Sequence, residues 1–322
     1  TGLPTDEISM VRNDIDLPRV EGDSDEIGRL AAEHFLGRRY RHFAWAPMMD
    51  DALNAERFRG FANRLAKNGF TCHQLPPLDT RYGDPNVRDC VAQRKLLIRG
   101  LTRLPKPLAV FCYNDCVAAD VIDACDDASL LVPEAVAVLG IDNDALICES
   151  IPVPLSSVCH DLEGMAYQAA ALLDRLMGGR KAPKTIIRVP PRGLVTRRST
   201  DILAVDNLQV ARALRYIHDH YSNPLLGVEG IVSATNLSRR SLEKAFRKEL
   251  SRSLNDEIVR IRMEHVKDLL VTTEMRIAEI SVATGFSRPN HLFRTFRRFL
   301  GISPRVYRVK QRVVHRKRET RN

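Results

Sequence analysis

The sequence lacks the features of a membrane-spanning or secreted protein. No stretch of about 18 consecutive apolar residues occurs, so no membrane-spanning helix is expected. The chain starts Thr-Gly-Leu-Pro, without the basic and apolar regions of a secretion signal, and we expect a cytoplasmic protein. Aromatic residues make up only 6% of the 322 residues, with a single tryptophan, which disfavours a surface of stacked aromatic rings.

The cysteines show neither the spacing of a zinc site nor that of a disulfide framework. The seven are Cys72, Cys90, Cys112, Cys116, Cys125, Cys148 and Cys159. Cys112 and Cys116 lack the C-x-x-C spacing, and no second Cys/His pair completes a metal site. Since most of the seven adjoin apolar residues, we expect buried, reduced thiols and neither a metal nor another cofactor.

The common catalytic motifs are also absent. The sequence contains no Walker A, G-x-S-x-G or H-E-x-x-H pattern. Asp142 and Asp144 could act as a carboxylate pair, but nothing places them beside a nucleophile. An enzyme with a basic tail therefore remains only an alternative, and no catalytic residues are predicted.

Charge is distributed very unevenly along the chain. Residues 201–322 carry 24 Lys and Arg against 13 Asp and Glu, whereas residues 1–200 carry 25 against 27. The cationic excess thus lies wholly in the C-terminal third. This asymmetry is typical of a polyanion-binding module joined to a neutral domain, although a merely soluble basic surface would have the same charge.

Residues up to about 198 show alternating strand and helix patterns. Short apolar runs predict strands at 41–46, 70–75, 108–112 and 135–140, and apolar spacing of three and four predicts helices at 56–68, 86–103, 116–124 and 162–177. Such alternation favours a parallel sheet covered on both faces, in which ligands bind beyond the carboxyl ends of the strands. Two of these ends carry polar clusters, 114–115 and 142–144.

After Asp206, a plausible helix N-cap, the sequence is helical and contains a repeated pattern. A short helix at 228–234, a turn and a helix at 239–250 capped by Ser238 recur as a short helix near Ile277, a turn at Gly285 and a last helix capped by Ser287. A longer helix at 256–271 joins the two units. Each second helix has cationic and amide side chains near its start, which suits recognition helices in the major groove of DNA.

Charged helix faces are often only solvated, and a single helix-turn-helix pattern is a weak indication. Two such units in one strongly cationic module make double-stranded DNA the favoured partner. In the second of these helices, Leu292, Phe296 and Phe299 are predicted to face the core.

Residues 207–308 resemble the AraC/XylS-type DNA-binding domain along their whole length. The matching stretches are 237–246 (LSRRSLEKAF), 277–280 (IAEI), 285–287 (GFS) and 293–308 (FRTFRRFLGISPRVYR). This resemblance implies DNA contacts by Arg239, Arg240, Glu243 and Lys244 in the first unit and by Arg288, Pro289, Asn290, Phe293 and Arg294 in the second.

Residues 20–198 resemble the LacI/GalR-type sugar-binding domain. The matching stretches are 139–144 (LGIDND), 154–158 (PLSSV), 164–176 (GMAYQAAALLDRL), 189–191 (VPP) and 197–201 (RRSTD). The resemblance implies that Arg57, Asn114 and Asp142, with Asp115, hold sugar hydroxyls. The alternatives are a surface salt bridge for Arg57, a helix N-cap for Asp115 and a turn for Asp142.

Together these resemblances imply a periplasmic-binding-protein-like (LacI-type) α/β effector domain, incomplete at its N-terminus, followed by an all-α double helix-turn-helix domain. The expected boundaries are 1–200 for the effector domain, 201–206 for a linker, 207–310 for the DNA-binding domain and 311–322 for a disordered basic tail.

The function implied by the same resemblances is that of a bacterial, nucleoid-associated transcription activator controlled by a small sugar, D-xylose or another pentose. It would bind repeated DNA half-sites as a homodimer, with RNA polymerase as a further partner. The alternative within DNA binding is a non-specific architectural protein.

Overall fold

The computed structural model describes residues 5–6, 17–48, 53–78, 90–183 and 185–309, which fall into two compact units. The first unit ends at Ala204 and the second begins at Val205. The predicted linker, 201–206, spans this boundary. The predicted tail at 311–322 and the first four residues of the predicted helix 86–103 lie outside the described residues.

The first unit is an α/β domain in which strands and helices alternate, as predicted. Its strands are β1 (Val20–Gly22), β2 (His42–Ala46), β3 (Cys72–Gln74), β4 (Leu108–Cys112), β5 (Val136–Ile141), β6 (Ser156–Cys159), β7 (Ile187–Val189) and β8 (Gly193–Val195). Its α-helices are α1 (Ser24–Gly37), α2 (Leu53–Ala66), α3 (Cys90–Arg103), α4 (Asp115–Asp127), α5 (Ala145–Ser150) and α6 (Leu162–Met177). A short 3-10 helix, Arg198–Thr200, precedes the end of the unit.

Six strands form the main sheet in the order β3-β2-β4-β5-β6-β8. Neighbours from β3 to β6 are parallel, and only β8 is antiparallel, pairing with β6. Every residue of β4 and β5 is buried, as expected for central strands covered on both faces. Because β4, β5 and β6 run in the same direction, their carboxyl ends lie along one edge of the sheet.

A smaller parallel sheet, β1 with β7, was not predicted from the sequence, and neither was helix α1. These strands have only three residues each, too few for an apolar periodicity to appear. Val20 and Val189 pack with α6 in a separate apolar cluster. An ideal Cβ added to Gly22 would lie 2.1 Å from Nε2 of His160, so the end of β1 closely approaches the end of β6.

The second unit contains only helices among its described residues. They are α7 (Leu208–His220), α8 (Val228–Ser233), α9 (Arg239–Leu250), α10 (Leu254–Thr272), α11 (Ile277–Ala283) and α12 (Pro289–Leu300). Helix α7 packs against α8, α9 and α10, and α11 packs against α10 and α12. Apolar side chains of α10, α11 and α12 form a common core that includes Met263, Ile280 and Phe296. The predicted pair of short-helix, turn, helix units is therefore confirmed.

Details at the helix ends differ from the prediction at two positions. Asn207, not Asp206, caps α7 through its side-chain oxygen. Helix α12 begins one residue later than expected, with Arg288 at the N-cap position and no side-chain cap, so the prediction of a Ser287 cap is wrong. Pro289 is the first residue of the helix. Proline suits this position because it has no N–H group that would be left unpaired in the first turn.

Two predicted buried side chains are instead exposed. Phe299 is 49% exposed, although it follows the apolar spacing of α12. Cys116 is exposed at the start of α4, whereas Cys112, Cys125 and Cys148 are buried, and none of the described cysteines forms a disulfide. No helix within the described ranges is both long and apolar enough to cross a membrane.

Candidate functional site

The first candidate recognition helix, α9, presents polar side chains on its outer face. Ser238 caps it, with Oγ accepting a hydrogen bond from the Ser241 amide at 3.3 Å, as predicted. Leu242, Phe246 and Leu250 are the buried residues of the helix. The predicted contact residues Arg239, Arg240 and Lys244 are exposed, and Glu243 is half-buried.

Arg239 is engaged by acidic partners on this surface. Its guanidinium lies 2.8 Å from Glu229 of α8 and 3.0 Å from Glu243, one turn further along α9. Hydrogen bonding to Glu243 raises the pKa of Arg239 above its ordinary value. Because all three groups are exposed or nearly so, these ion pairs are weak and can exchange for phosphate oxygens.

The second candidate helix, α12, has the same amphipathic organisation. Leu292, Thr295 and Phe296 are buried. Arg288, Pro289, Asn290 and Arg294 are exposed, and Phe293 is half-buried. His291, which sequence reasoning did not select, is also exposed in this first turn.

Both helices therefore present cationic groups near their N-terminal ends, and α12 adds the amide of Asn290, while the buried apolar side chains face the core. Arginine can pair with guanine through two hydrogen bonds, and asparagine can pair similarly with adenine. The exposed N–H groups at a helix start add partial positive charge, which favours phosphate oxygens. The polar face of neither helix is buried in the protein core, so both faces are accessible to a DNA duplex.

In the first unit, Arg57 lies at the carboxyl end of β4. Its side chain is only 4% exposed, so the alternative of a surface salt bridge is wrong. Nη1 donates a hydrogen bond to the Tyr113 carbonyl at 2.6 Å, and the guanidinium lies 4.5 Å from the centre of the Tyr113 ring. The buried Nε has no hydrogen-bond partner among the described residues. The arginine thus has a fixed position and a further donor to offer.

Asn114 and Asp115 follow β4 directly, and their side chains have internal partners. Asn114, not Asp115, is the N-cap of α4, with Oδ1 accepting from the Val117 amide at 2.9 Å. The N-cap alternative for Asp115 is therefore wrong, since this residue is the first of the helix.

The Asp115 carboxylate instead connects three strand ends. Its Oδ1 accepts from the Ser157 hydroxyl at 2.7 Å, and its Oδ2 accepts from the Asp144 amide at 2.8 Å and from the Cys148 thiol at 3.4 Å. Burial raises the pKa of Asp115 to about 6, although these hydrogen bonds act in the opposite direction. This enclosed position suits an organising role beneath the site.

Asp142 lies at the end of β5 and faces a histidine that sequence reasoning missed. One Asp142 oxygen lies 3.5 Å from Nδ1 of His160, which follows β6. The His160 side chain is 11% exposed, and its Nε2 has no hydrogen-bond partner among the described residues. Its place directly after a strand was a usable indication, because β6 ends beside β5.

Asn114, Asp142 and His160 thus follow three neighbouring strands, and Arg57 reaches the end of β4 from helix α2. The direct contacts connect Arg57 to the end of β4 and Asp142 to His160, while Asp115 joins the ends of β4, β5 and β6. Such a set combines hydrogen-bond donors and acceptors, as a neutral polyol requires.

The first unit is a sheet domain with polar groups at its strand ends, and the second contains paired helix-turn-helix units. Comparison with known families identifies the class of protein that has this combination. The family model of a periplasmic binding protein-like domain matches residues 32–200, and that of a helix-turn-helix domain matches residues 231–310. The chain belongs to the family of proteins with a periplasmic binding protein-like domain, and its predicted fold class is confirmed.

Among individual proteins, it is similar to xylose operon regulatory proteins. The protein of Escherichia coli K12 is 32% identical over 208 residues, which are 65% of this chain and 53% of that protein. The protein of Haemophilus influenzae is 25% identical over 295 residues, which are 91% of this chain and 75% of that protein.

Similarity also extends to a solved structure of a xylose-binding transcription activator. The TM-score is 0.70 at 26% sequence identity, covering 92% of this chain and 82% of that one. The chain spans about half the length of the first curated relatives that it matches.

Proposed function

We propose that this protein is a transcription activator whose binding to double-stranded DNA is controlled by a small sugar, D-xylose. The proposal rests mainly on one observation, the exposed and cationic N-terminal ends of α9 and α12. The same chain also has, at the strand ends of its first unit, polar side chains of the kinds that hydrogen-bond to sugar hydroxyls. The protein would bind repeated half-sites as a homodimer and contact RNA polymerase from the bound site. Regulatory relatives named for a xylose operon support this function over an enzyme.

At the DNA, the side chains near the start of each helix would have distinct roles. Arg240 and Lys244 of α9 and Asn290 and Arg294 of α12 would contact base edges, because they are exposed and carry suitable donors. Arg239 and Arg288 would contact phosphates. Glu243 would accept from cytosine, and Pro289 with Phe293 would contact thymine methyl groups.

At the strand ends, the proposed sugar contacts come from Arg57, Asn114 and Asp142. Arg57 would donate through Nε, and Asn114 through the amide nitrogen that its cap bond leaves available. Asp142 would accept from two hydroxyls, with His160 beside it. Asp115 would support these residues from below, since its oxygens already accept three internal hydrogen bonds.

The first test concerns the recognition helices. Lys244→Ala and Arg294→Ala should each weaken binding to a duplex selected by the chain from a random-sequence pool, by about 1–3 kcal/mol or roughly 5- to 150-fold in Kd. Fluorescence anisotropy on the labelled duplex measures this loss. The physical reason is the removal of a donor that no other side chain replaces.

Charge-matched controls separate recognition from general electrostatics. Lys181→Ala and Arg180→Ala remove the same charges from exposed positions of the first unit and should leave Kd almost unchanged. Unchanged binding by both recognition-helix variants would contradict the assignment of α9 and α12. Equal affinity for selected and random duplexes would instead favour a non-specific architectural protein.

The second test concerns the sugar. D-Xylose at about 100 times its Kd should stabilise the folded first unit by about 2.7 kcal/mol, because it binds only the folded state. The single tryptophan, Trp45, is buried in β2, so its fluorescence during heating monitors unfolding of this unit. L-Xylose is the matched control, and a panel of pentoses and hexoses that all fail would refute the effector assignment.

A further inference from the structure

The loop that carries Asp142 has an unusual backbone conformation. Asp142 has a φ of 102° and Asn143 a φ of 56°, so two successive residues other than glycine lie in the left-handed region. Such conformations persist only where surrounding contacts hold them. Here the Asn143 amide donates to Ser157 Oγ at 3.0 Å, and the Asp144 amide donates to Asp115. The shape of the 142–144 loop therefore depends on contacts with distant parts of the chain.

Arg197 joins this loop to the segment that leads into the second unit. Its Nη1 donates to Asn143 Oδ1 and to the Leu155 carbonyl, both at 2.9 Å. The side chain is only 15% exposed, so these hydrogen bonds are largely shielded from water. Its other contact, with Glu149 at 3.4 Å, is weaker because Glu149 is 66% exposed.

The backbone around Arg197 is bonded to the same region of the sheet. Ser156 Oγ donates to the Arg197 carbonyl at 2.8 Å and accepts from the Arg197 amide at 2.7 Å. Ser199 Oγ donates to the Val138 carbonyl of β5 at 2.6 Å, and β5 is the strand from which the 142–144 loop extends. Residues 197–200 are thus held by both the strand and its loop, a few positions before Val205.

We propose that Arg197 is a positioning residue that couples the 142–144 loop to residues 197–200, so that sugar binding at Asp142 changes the segment leading into the DNA-binding unit. This inference rests on the proposed function. A sugar that moves the loop must alter the bonds between Arg197 and Asn143, because their partners on the sheet are fixed. The altered bonds would change the segment at Arg197, whose side chain bonds it to the loop.

The experiment measures the coupling ratio, which is the Kd for a selected duplex without D-xylose divided by the Kd with saturating D-xylose. For the wild-type chain we expect a ratio of roughly 5 to 150, or its reciprocal if the sugar releases DNA. For Arg197→Gln the ratio should fall to within about twofold of one, while Kd for D-xylose without DNA stays within about threefold of wild type. Calorimetry measures the sugar affinity.

A second variant and a control complete the design. Asn143→Gly removes the amide from the loop, and glycine adopts a φ of 56° without strain. It should lose the coupling too, and the double variant should lose no more than either single one. Glu149→Gln removes only the exposed contact and should keep the wild-type ratio.

The outcomes separate this inference from the proposed function. A wild-type ratio of one overturns the proposed function and the inference with it. A normal wild-type ratio that both Arg197→Gln and Asn143→Gly retain overturns the inference alone. If Trp45 fluorescence shows that Arg197→Gln is unfolded, Asn143→Gly decides, because it leaves the guanidinium and its bond to the Leu155 carbonyl in place.

Discussion

At the scale of single residues, His34 in α1 is held in its neutral form by its neighbours. Its Nε2 lies 2.7 Å from Thr200 Oγ1, and Nδ1 lies 3.1 Å from a guanidinium nitrogen of Arg38. Because arginine can only donate, Nδ1 must accept, so the ring proton is on Nε2. Burial lowers the pKa of His34 to about 3, with the positive charge of Arg38 acting in the same direction.

This lowered pKa predicts a specific pH dependence of stability. In the unfolded chain the histidine binds a proton below about pH 6.5, whereas in the folded unit it stays neutral, so its contribution is present above that pH and is lost as the pH falls. Relative to His34→Gln, which keeps a donor toward Thr200, the wild type should lose about 1–2 kcal/mol of unfolding free energy between pH 7 and pH 5.

Urea unfolding followed by Trp45 fluorescence at each pH measures the difference. Comparing two chains removes the opposite contribution of Asp115, whose raised pKa of about 6 makes acid favour the folded state. His73→Gln, at an exposed histidine of β3, is the matched control and should leave the pH dependence unchanged. A pH-independent difference between wild type and His34→Gln would contradict the argument.

At the scale of secondary-structure elements, α1 and α2 approach closely through two glycines. An ideal Cβ on Gly28 would lie 2.4 Å from the Arg57 carbonyl, and one on Gly60 would lie 2.1 Å from the Asp25 carbonyl. These obstacles are backbone atoms, which cannot move aside as a flexible side chain would. The close approach also positions the turn of α2 that carries Arg57.

Gly60→Ala and Gly28→Ala should each destabilise the first unit by about 1–3 kcal/mol, because the helices must separate. The gain in helix propensity from alanine, up to about 1 kcal/mol, opposes this loss without cancelling it. Chemical denaturation followed by Trp45 fluorescence tests the prediction.

Gly37→Ala, in α1 like Gly28, is the control. An added Cβ there meets no atom within 4 Å, so the substitution should leave stability unchanged or increase it. If all three alanine variants behave alike, the close packing of α1 and α2 does not limit stability.

At the scale of the whole molecule, the two units differ in charge, and the proposed ligands differ accordingly. The 24 Lys and Arg residues of 201–322 suit the proposed polyanion, and the nearly neutral remainder of the chain suits the proposed neutral sugar. DNA affinity should therefore fall steeply with salt, with a log–log slope of about 4 or more in magnitude, corresponding to four or more neutralised phosphates. Titrations of a selected duplex between about 50 and 200 mM salt measure this slope.

Sugar affinity is the internal control for this prediction. D-Xylose releases no counterions, so its Kd should stay nearly constant across the same salt range. A flat salt dependence for DNA would show that the cationic excess does not contact phosphates. A steep dependence for the sugar would show that salt perturbs the fold itself.

Local patterns predicted most of the elements, including the exact bounds of helix 162–177, strand 108–112 and helix 239–250. They failed for β1 and β7, which are too short to show a period, for the 14-residue helix α1, and where one residue decided a cap, as at Ser287. Phe299 fits the apolar spacing of α12 but is exposed, because the spacing identifies one face of a helix and not which residues of that face other side chains bury.

The sequence by itself determined the alternation of strands and helices in the first unit, the repeated helix-turn-helix pattern and the asymmetry of charge, because each follows from spacing or composition within a short window. Only the tertiary structure decided that Arg57 binds the Tyr113 carbonyl, that His160 lies beside Asp142 and that Arg197 binds Asn143. These partners are distant in sequence, and they meet because of the order in which the parallel strands pair. That order is set by the packing of the whole sheet and is not encoded in any local period.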